Sequence, residues 1–114
     1  MNDQVEQFSG ILPPELVQRA YRWGNELAWP RSEAIEAIDR LEKSGVQLLG
    51  VEVWVPSSAG PRMTGWDWDE KHLKGPNGAA SAHDFVKNFR WSENGGTLKD
   101  HEPFFNLTAV DRRS

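Results

Sequence analysis

The stretch Val46-Gln47-Leu48-Leu49-Gly50-Val51-Glu52-Val53-Trp54-Val55 decides how the rest of the chain is read. Leu49, Val51, Val53 and Val55 fall at every second position and give one face a period of two. Leu48, Glu52 and Trp54 occupy the other face, with Gly50 between them. This pattern predicts a strand. It is rich in β-branched residues, free of Lys and Arg, and apolar enough on both faces to sit inside a sheet instead of at its edge. Pro56 ends it, because proline cannot donate to a strand ladder.

Working outward, the residues before this spine predict two helices. Pro13 and Pro14 suit a helix start, and Leu16, Val17, Ala20, Tyr21, Gly24, Leu27 and Ala28 recur at three- and four-residue spacing. The first helix is expected from Pro14 to a point between Gly24 and Ala28. Trp29 precedes Pro30 and is biased out of helical geometry, so the chain turns there. A second helix opens at Arg31 or Ser32, with Ala34, Ile35, Ala37, Ile38 and Leu41 as its apolar stripe. Gly45 follows at the natural left-handed cap and leads straight into Val46.

Beyond the spine, residues 57–61 are turn formers, and Met63-Thr64-Gly65-Trp66-Asp67-Trp68-Asp69 alternates as a hairpin partner. Trp66 and Trp68 share one face of it, and Asp67 and Asp69 the other. Residues 71–80 read as loop. Ser81 is expected to cap a third helix carrying Ala82, Phe85, Val86 and Phe89, which Gly95-Gly96 ends. Residues 103–110 read as a last strand, and 111–114 as a frayed tail.

The fold class that follows is α+β in a single domain spanning 1–114: two N-terminal helices, then a three-stranded antiparallel sheet with a third helix between its second and third strands. The strand order is 2-1-3, with the spine in the middle. The length, 114 residues, agrees with one core. The absence of cysteine removes disulfides, thiolate metal sites and cysteine nucleophiles, and fits a cytoplasmic protein. No run approaches the roughly 20 apolar residues of a membrane span. A net charge of -4 with scattered basic residues leaves no footprint for nucleic acid.

No catalytic, cofactor-binding or metal-ligating set emerges from the pattern, and the chain is read as a non-enzyme. His72 and His101 lie in predicted loops among charged residues. His83-Asp84 lacks the further histidines and acids of a phosphohydrolase metal site. Asp67, Asp69 and Glu70 lack the spacing of a calcium loop, no serine sits in a nucleophile elbow, and the glycine pairs lack phosphate-loop endings. A carboxylate pair of Glu52 with Asp67 or Asp69 is chemically conceivable for glycoside hydrolysis but is as readily a solvated pair.

What stands out is six tryptophans. Trp54, Trp66 and Trp68 form one patch if the strand register agrees, or else they cover the second face of the sheet beneath a helix or loop. Trp23, Trp29 and Trp91 sit at predicted helix ends and are expected to lock helices onto the core.

Some residues also carry a resemblance. Ile11-Leu12-Pro13 leading to Leu16, Glu26-Leu27-Ala28-Trp29, Ala34-Ile35, Ala37-Ile38, Leu41, Gly45, and Leu48-Leu49-Gly50-Val51-Glu52-Val53-Trp54 resemble the immunity proteins of bacterial polymorphic toxin systems, in particular the family numbered forty. The likeness spans residues 11–54, with Trp66 and the closing aromatic strand agreeing more loosely; Val51 and Glu52 stand where that pattern has a glycine and an aspartate. The resemblance implies a small cytoplasmic α+β protein that binds and neutralises a cognate toxin protein. It brings no site residues with it. From the residues themselves, the expected partner contacts are Glu52, Trp54, Trp66, Asp67, Trp68 and Asp69. The alternative is a module that stacks a sugar or aromatic ligand on its tryptophans.

Overall fold

A computed structural model of the chain describes residues 4–69, 78–91 and 100–111. Its elements in chain order are α1 (Gln4–Ser9), α2 (Pro14–Arg19), β1 (Tyr21–Trp23), β2 (Glu26–Pro30), α3 (Arg31–Lys43), β3 (Val46–Val55), β4 (Arg62–Asp69), α4 (Gly78–Asn88) and β5 (Phe104–Asp111). The five strands form one sheet in the order β1-β2-β5-β3-β4, and every neighbouring pair is antiparallel. The class is α+β. The spine is β3, flanked by its hairpin partner β4 and by the C-terminal strand β5, so the expected 2-1-3 arrangement forms one side of a wider sheet. With two strands added, the central position passes to β5.

The added strands replace most of the expected first helix. Helix α2 stops after six residues, and Ala20 is already extended at φ -67, ψ 147. The chain then makes a hairpin through Gly24-Asn25, with Gly24 at φ 61, the left-handed conformation that a type II′ turn requires at its first central position. The apolar residues here fit a period of two as well as one of 3.6, and the turn decides between them. A six-residue helix has no stability of its own. What holds α2 is the Trp29 indole, fully buried in β2, which donates to the Leu16 carbonyl oxygen at 2.8 Å. Helix α1, which the sequence pattern does not suggest, sets Phe8 against the same indole at 6.1 Å between ring centroids.

Helix α3 runs as its pattern predicts, burying Ala34, Ala37, Ile38 and Leu41, and Gly45 follows at φ 82. Helix α4 starts at Gly78, so Ser81 lies within it and is not its cap. The Ser81 hydroxyl instead accepts from the Trp68 indole at 2.9 Å.

Strand β3 also departs from strict alternation. Leu48 pairs with Ala109 and Gly50 with Thr108, which leaves Leu49 as the extra residue of a bulge. A bulge reverses the side-chain parity, so Val46 and Leu48 before it join Val51 and Val53 after it on one face. Leu49, expected on that face, is not part of the core cluster. A second irregularity lies on β4, where two steps along β3 (Glu52 to Trp54) match four along β4 (Asp67 to Met63). The Thr64 hydroxyl bridges the gap by donating to the Val53 carbonyl oxygen at 2.8 Å.

One core cluster joins Phe8, Leu12 and Leu16 of the N-terminal segment, the α3 stripe, and Ala82, Val86 and Phe89 of α4 to the sheet row Leu27, Trp29, Val51, Val53, Trp68, Phe105, Leu107 and Ala109. All four described helices therefore lie on one face of the sheet. Among the described residues none of them covers the other face.

Candidate interaction face

Register places Trp23 opposite Glu26, Ala28 opposite Tyr21 and Asn106, and Glu52 opposite Asn106 and Asp67. Directly opposed residues project from the same side of a sheet. These side chains therefore share the face away from the helices, together with Trp54, Phe104, Thr108 and Gly50.

One end of this face is aromatic and closed. The Tyr21 ring meets Trp54 edge-on at 6.2 Å and Phe104 at 6.4 Å, and Trp54 is fully buried. Strands β1 and β3 are three spacings apart, about 14 Å in a flat sheet. The two rings therefore lean toward each other over β2 and β5. The connection after β3 reinforces this arrangement: Tyr21 donates its hydroxyl to the Ser57 carbonyl oxygen at 3.0 Å, and the Trp23 ring lies on Gly60. Gly60 has φ 114, and a Cβ built there would be 2.8 Å from the ring, so only glycine lets this loop rest on β1. Trp23 nevertheless remains 46% exposed, the one large hydrophobic residue so exposed among those described.

The other end is polar and open. Glu52 and Asp67 face each other across β3 and β4, and a shallow depression of about 160 Å³ between the strands is lined by Gly50, Val51, Glu52, Asp67, Trp68 and Thr108. Glu26 stands two strands away from Glu52. Its carboxyl is held above the ordinary glutamate range, first by burial and then by the charge of Glu52. Asn106, only 1% exposed, lies between their strands, and its Nδ2 donates to the Leu27 carbonyl oxygen at 2.9 Å. This amide bond ties β5 to β2 beneath the acidic area.

The six residues expected as partner contacts do not form one surface. Glu52 and Asp67 lie together on the open face. Trp54 is in the same row but buried under Tyr21, and its indole makes only a long contact, 3.4 Å, to the Glu52 carboxylate. Trp66 and Trp68 share a face with each other, and it is the helix-covered one: Trp68 is 9% exposed, and Trp66 packs edge-on against Phe89 at 6.3 Å and Trp91 at 5.6 Å. Asp69 pairs with Gly50 at the end of β4, and its side chain lies outside the described residues. Glu70 and His72 lie outside them entirely.

The residues that pattern reading missed on this face are Trp23, Glu26 and Thr108. The signal for the first two is the Gly24-Asn25 turn, which converts a supposed helix end into a hairpin with Trp23 and Glu26 opposed. Trp29 does lock α2 down as expected. Trp91 joins the Phe89 ring at 5.1 Å and donates to the His101 carbonyl oxygen at 2.9 Å.

Among the described residues, no group of three or more His, Cys, Asp or Glu is placed to hold a metal ion, and no helix is long and apolar enough to cross a membrane. His83 lies on α4, against the opposite side of the sheet, and His101 is exposed ahead of β5. Searches against family models, curated proteins and solved structures find no match for this chain.

Proposed function

We propose that this chain is a non-enzymatic binding protein that neutralises a toxin protein by direct contact, working in the bacterial cytoplasm, as its resemblance to the immunity proteins of polymorphic toxin systems implies. The observation that carries this reading is the face of the sheet that no helix covers among the described residues. An antiparallel sheet can leave one face to water, and such faces are ordinarily polar throughout. Here the face combines an exposed tryptophan, a set of carboxylates and a rigid aromatic floor. Aromatic anchors in a charged surround are what protein interfaces favour.

The sugar- or aromatic-binding alternative needs an exposed indole face in a pocket. Among the described residues Trp54 and Trp68 present none, Trp23 is exposed outside the depression by Glu52 and Asp67, and that depression, about 160 Å³, is below the roughly 300–1,000 Å³ of small-molecule sites.

Co-expression with the product of the adjacent reading frame tests the proposal. A stable complex on gel filtration, together with restored growth when that product is toxic, is the expected result. Absence of both a complex and protection removes the proposal.

A further inference from the structure

We propose that the open face of the sheet receives a lysine- or arginine-bearing segment of a protein partner, with Trp23 and the carboxylates of Glu26, Glu52 and Asp67 as its contacts. This rests on the contact-inhibitor reading above and gives the partner its chemistry.

Three observations select a cation. First, the open rows carry three described carboxylates and no described Lys or Arg. The two described strand arginines, Arg22 and Arg62, pair with Leu27 and Val55 and belong to the alternate rows. Among the described residues no cation on this surface neutralises those carboxylates. A face of one sign draws in counter-charge. Second, Trp23 lies opposite Glu26 with part of its ring open to solvent while Gly60 supports it. An indole beside a carboxylate suits a guanidinium or ammonium group, which stacks on the ring while it pairs with the acid. Third, a depression lies between Glu52, Asp67 and Thr108, with Gly50 in its lining. Its volume fits the end of a side chain better than a free ligand.

The depression and the indole lie on different strands of one face, so an extended segment crossing the strands engages both. A free divalent cation is a poorer occupant, because no described trio of acids is close enough to ligate one.

The test uses the intact protein and a fluorescein-labelled ten-residue peptide of alternating Lys and Arg, at about 50 mM salt so that screening does not hide surface charge. Anisotropy should show binding. The triple change Glu26→Gln, Glu52→Gln, Asp67→Asn should weaken it roughly tenfold or more, since each exposed ion pair contributes up to about a factor of five. A control triple on α3, Glu33→Gln, Asp39→Asn, Glu42→Gln, alters net charge equally and should weaken binding less than roughly threefold. Amide chemical-shift mapping on the unaltered protein gives the same answer without relying on any variant's folding. Shifts should gather at Glu26, Glu52, Asp67 and Thr108 and spare α3. No binding, equal losses in the two triples, or shifts spread over α3 overturn the assignment.

The two proposals fail separately. A toxin complex that is indifferent to the open-face triple sinks the cation assignment alone. Peptide mapped to the face with no toxin complex sinks the inhibitor reading alone.

Discussion

At the scale of single residues, the open face is held in an electrostatically unfavourable state, and Glu26 registers it. Burial and the nearby charge of Glu52 both disfavour its ionised form. In the unfolded chain neither acts, so the native state binds this proton more tightly than the unfolded state does. Stability therefore falls as pH rises through the window between the ordinary glutamate value and the raised one, and the full penalty is present at neutral pH. Glu26→Gln removes the charge and keeps the shape. The variant should melt at a higher temperature than the parent at pH 7, and the two curves should converge below about pH 3, where glutamate is neutral in both states. A variant that melts lower at pH 7, or a gap that survives acidification, contradicts the assignment. If a basic partner occupies the face, its charge reverses the sign for Glu26, so the parent should gain more from the complex than the variant does. A surface built for contact is expected to be strained while empty.

At the scale of elements, α4 packs on α3 and β3, and one side chain from α3 fastens its C-terminal end. Arg31 donates through Nη1 to the Val86 and Lys87 carbonyl oxygens, at 2.6 and 3.0 Å, near the C-terminal end of α4, with its guanidinium 5.9 Å from the Phe105 ring centre. Those carbonyls belong to the last turn, which has no intrahelical donors left. Hydrogen bonds from a charged donor contribute about 1.5–3 kcal/mol. Arg31→Ala should lower stability by about 1–3 kcal/mol, and amide exchange should quicken in α4 more than in β3; Arg31→Lys should recover only part, because an ammonium lacks the planar fork. Equal exchange in α4 before and after the change refutes the latch.

Elements also show where sequence reading succeeds. Helix α3 and strand β3 were legible because each is long enough to repeat its period several times and each is bounded by Pro or Gly. The β1–β2 hairpin was not, since Leu16, Ala20, Gly24, Leu27 and Ala28 satisfy helical spacing by coincidence and only Gly24-Asn25 argues otherwise. Nor was the bulge, because Leu48 and Leu49 are equally apolar and parity cannot be read across them. The site inherits both ambiguities. Glu52 and Asp67 could be read as outward-facing carboxylates, but the register that unites them with each other and parts Trp54 from Trp66 and Trp68 is a cross-strand fact.

At the scale of the whole molecule, the last strand in the chain occupies the middle of the sheet. Strand β5 joins β2 to β3, contributes Phe105, Leu107 and Ala109 to the core, and places Asn106 beneath the acidic area. Without it the sheet is two separate hairpins, β1–β2 and β3–β4, and isolated hairpins are marginal in water. The contacts that unite the fold are thus the most distant in sequence, a pattern that goes with slow folding. Glu26 and Glu52 belong to one face only because β5 lies between their strands. A chain ending after Pro103 should accordingly show no cooperative thermal transition and no near-ultraviolet signal from fixed tryptophans, and it should lose the concentrated binding of the lysine-arginine peptide. Deleting β1 alone should be far milder, because a three-residue edge strand has one neighbour. A sigmoidal melt from the chain lacking β5 would show that the helices and the β3–β4 hairpin hold together unaided, and that the face is attached to a fold that does not need it.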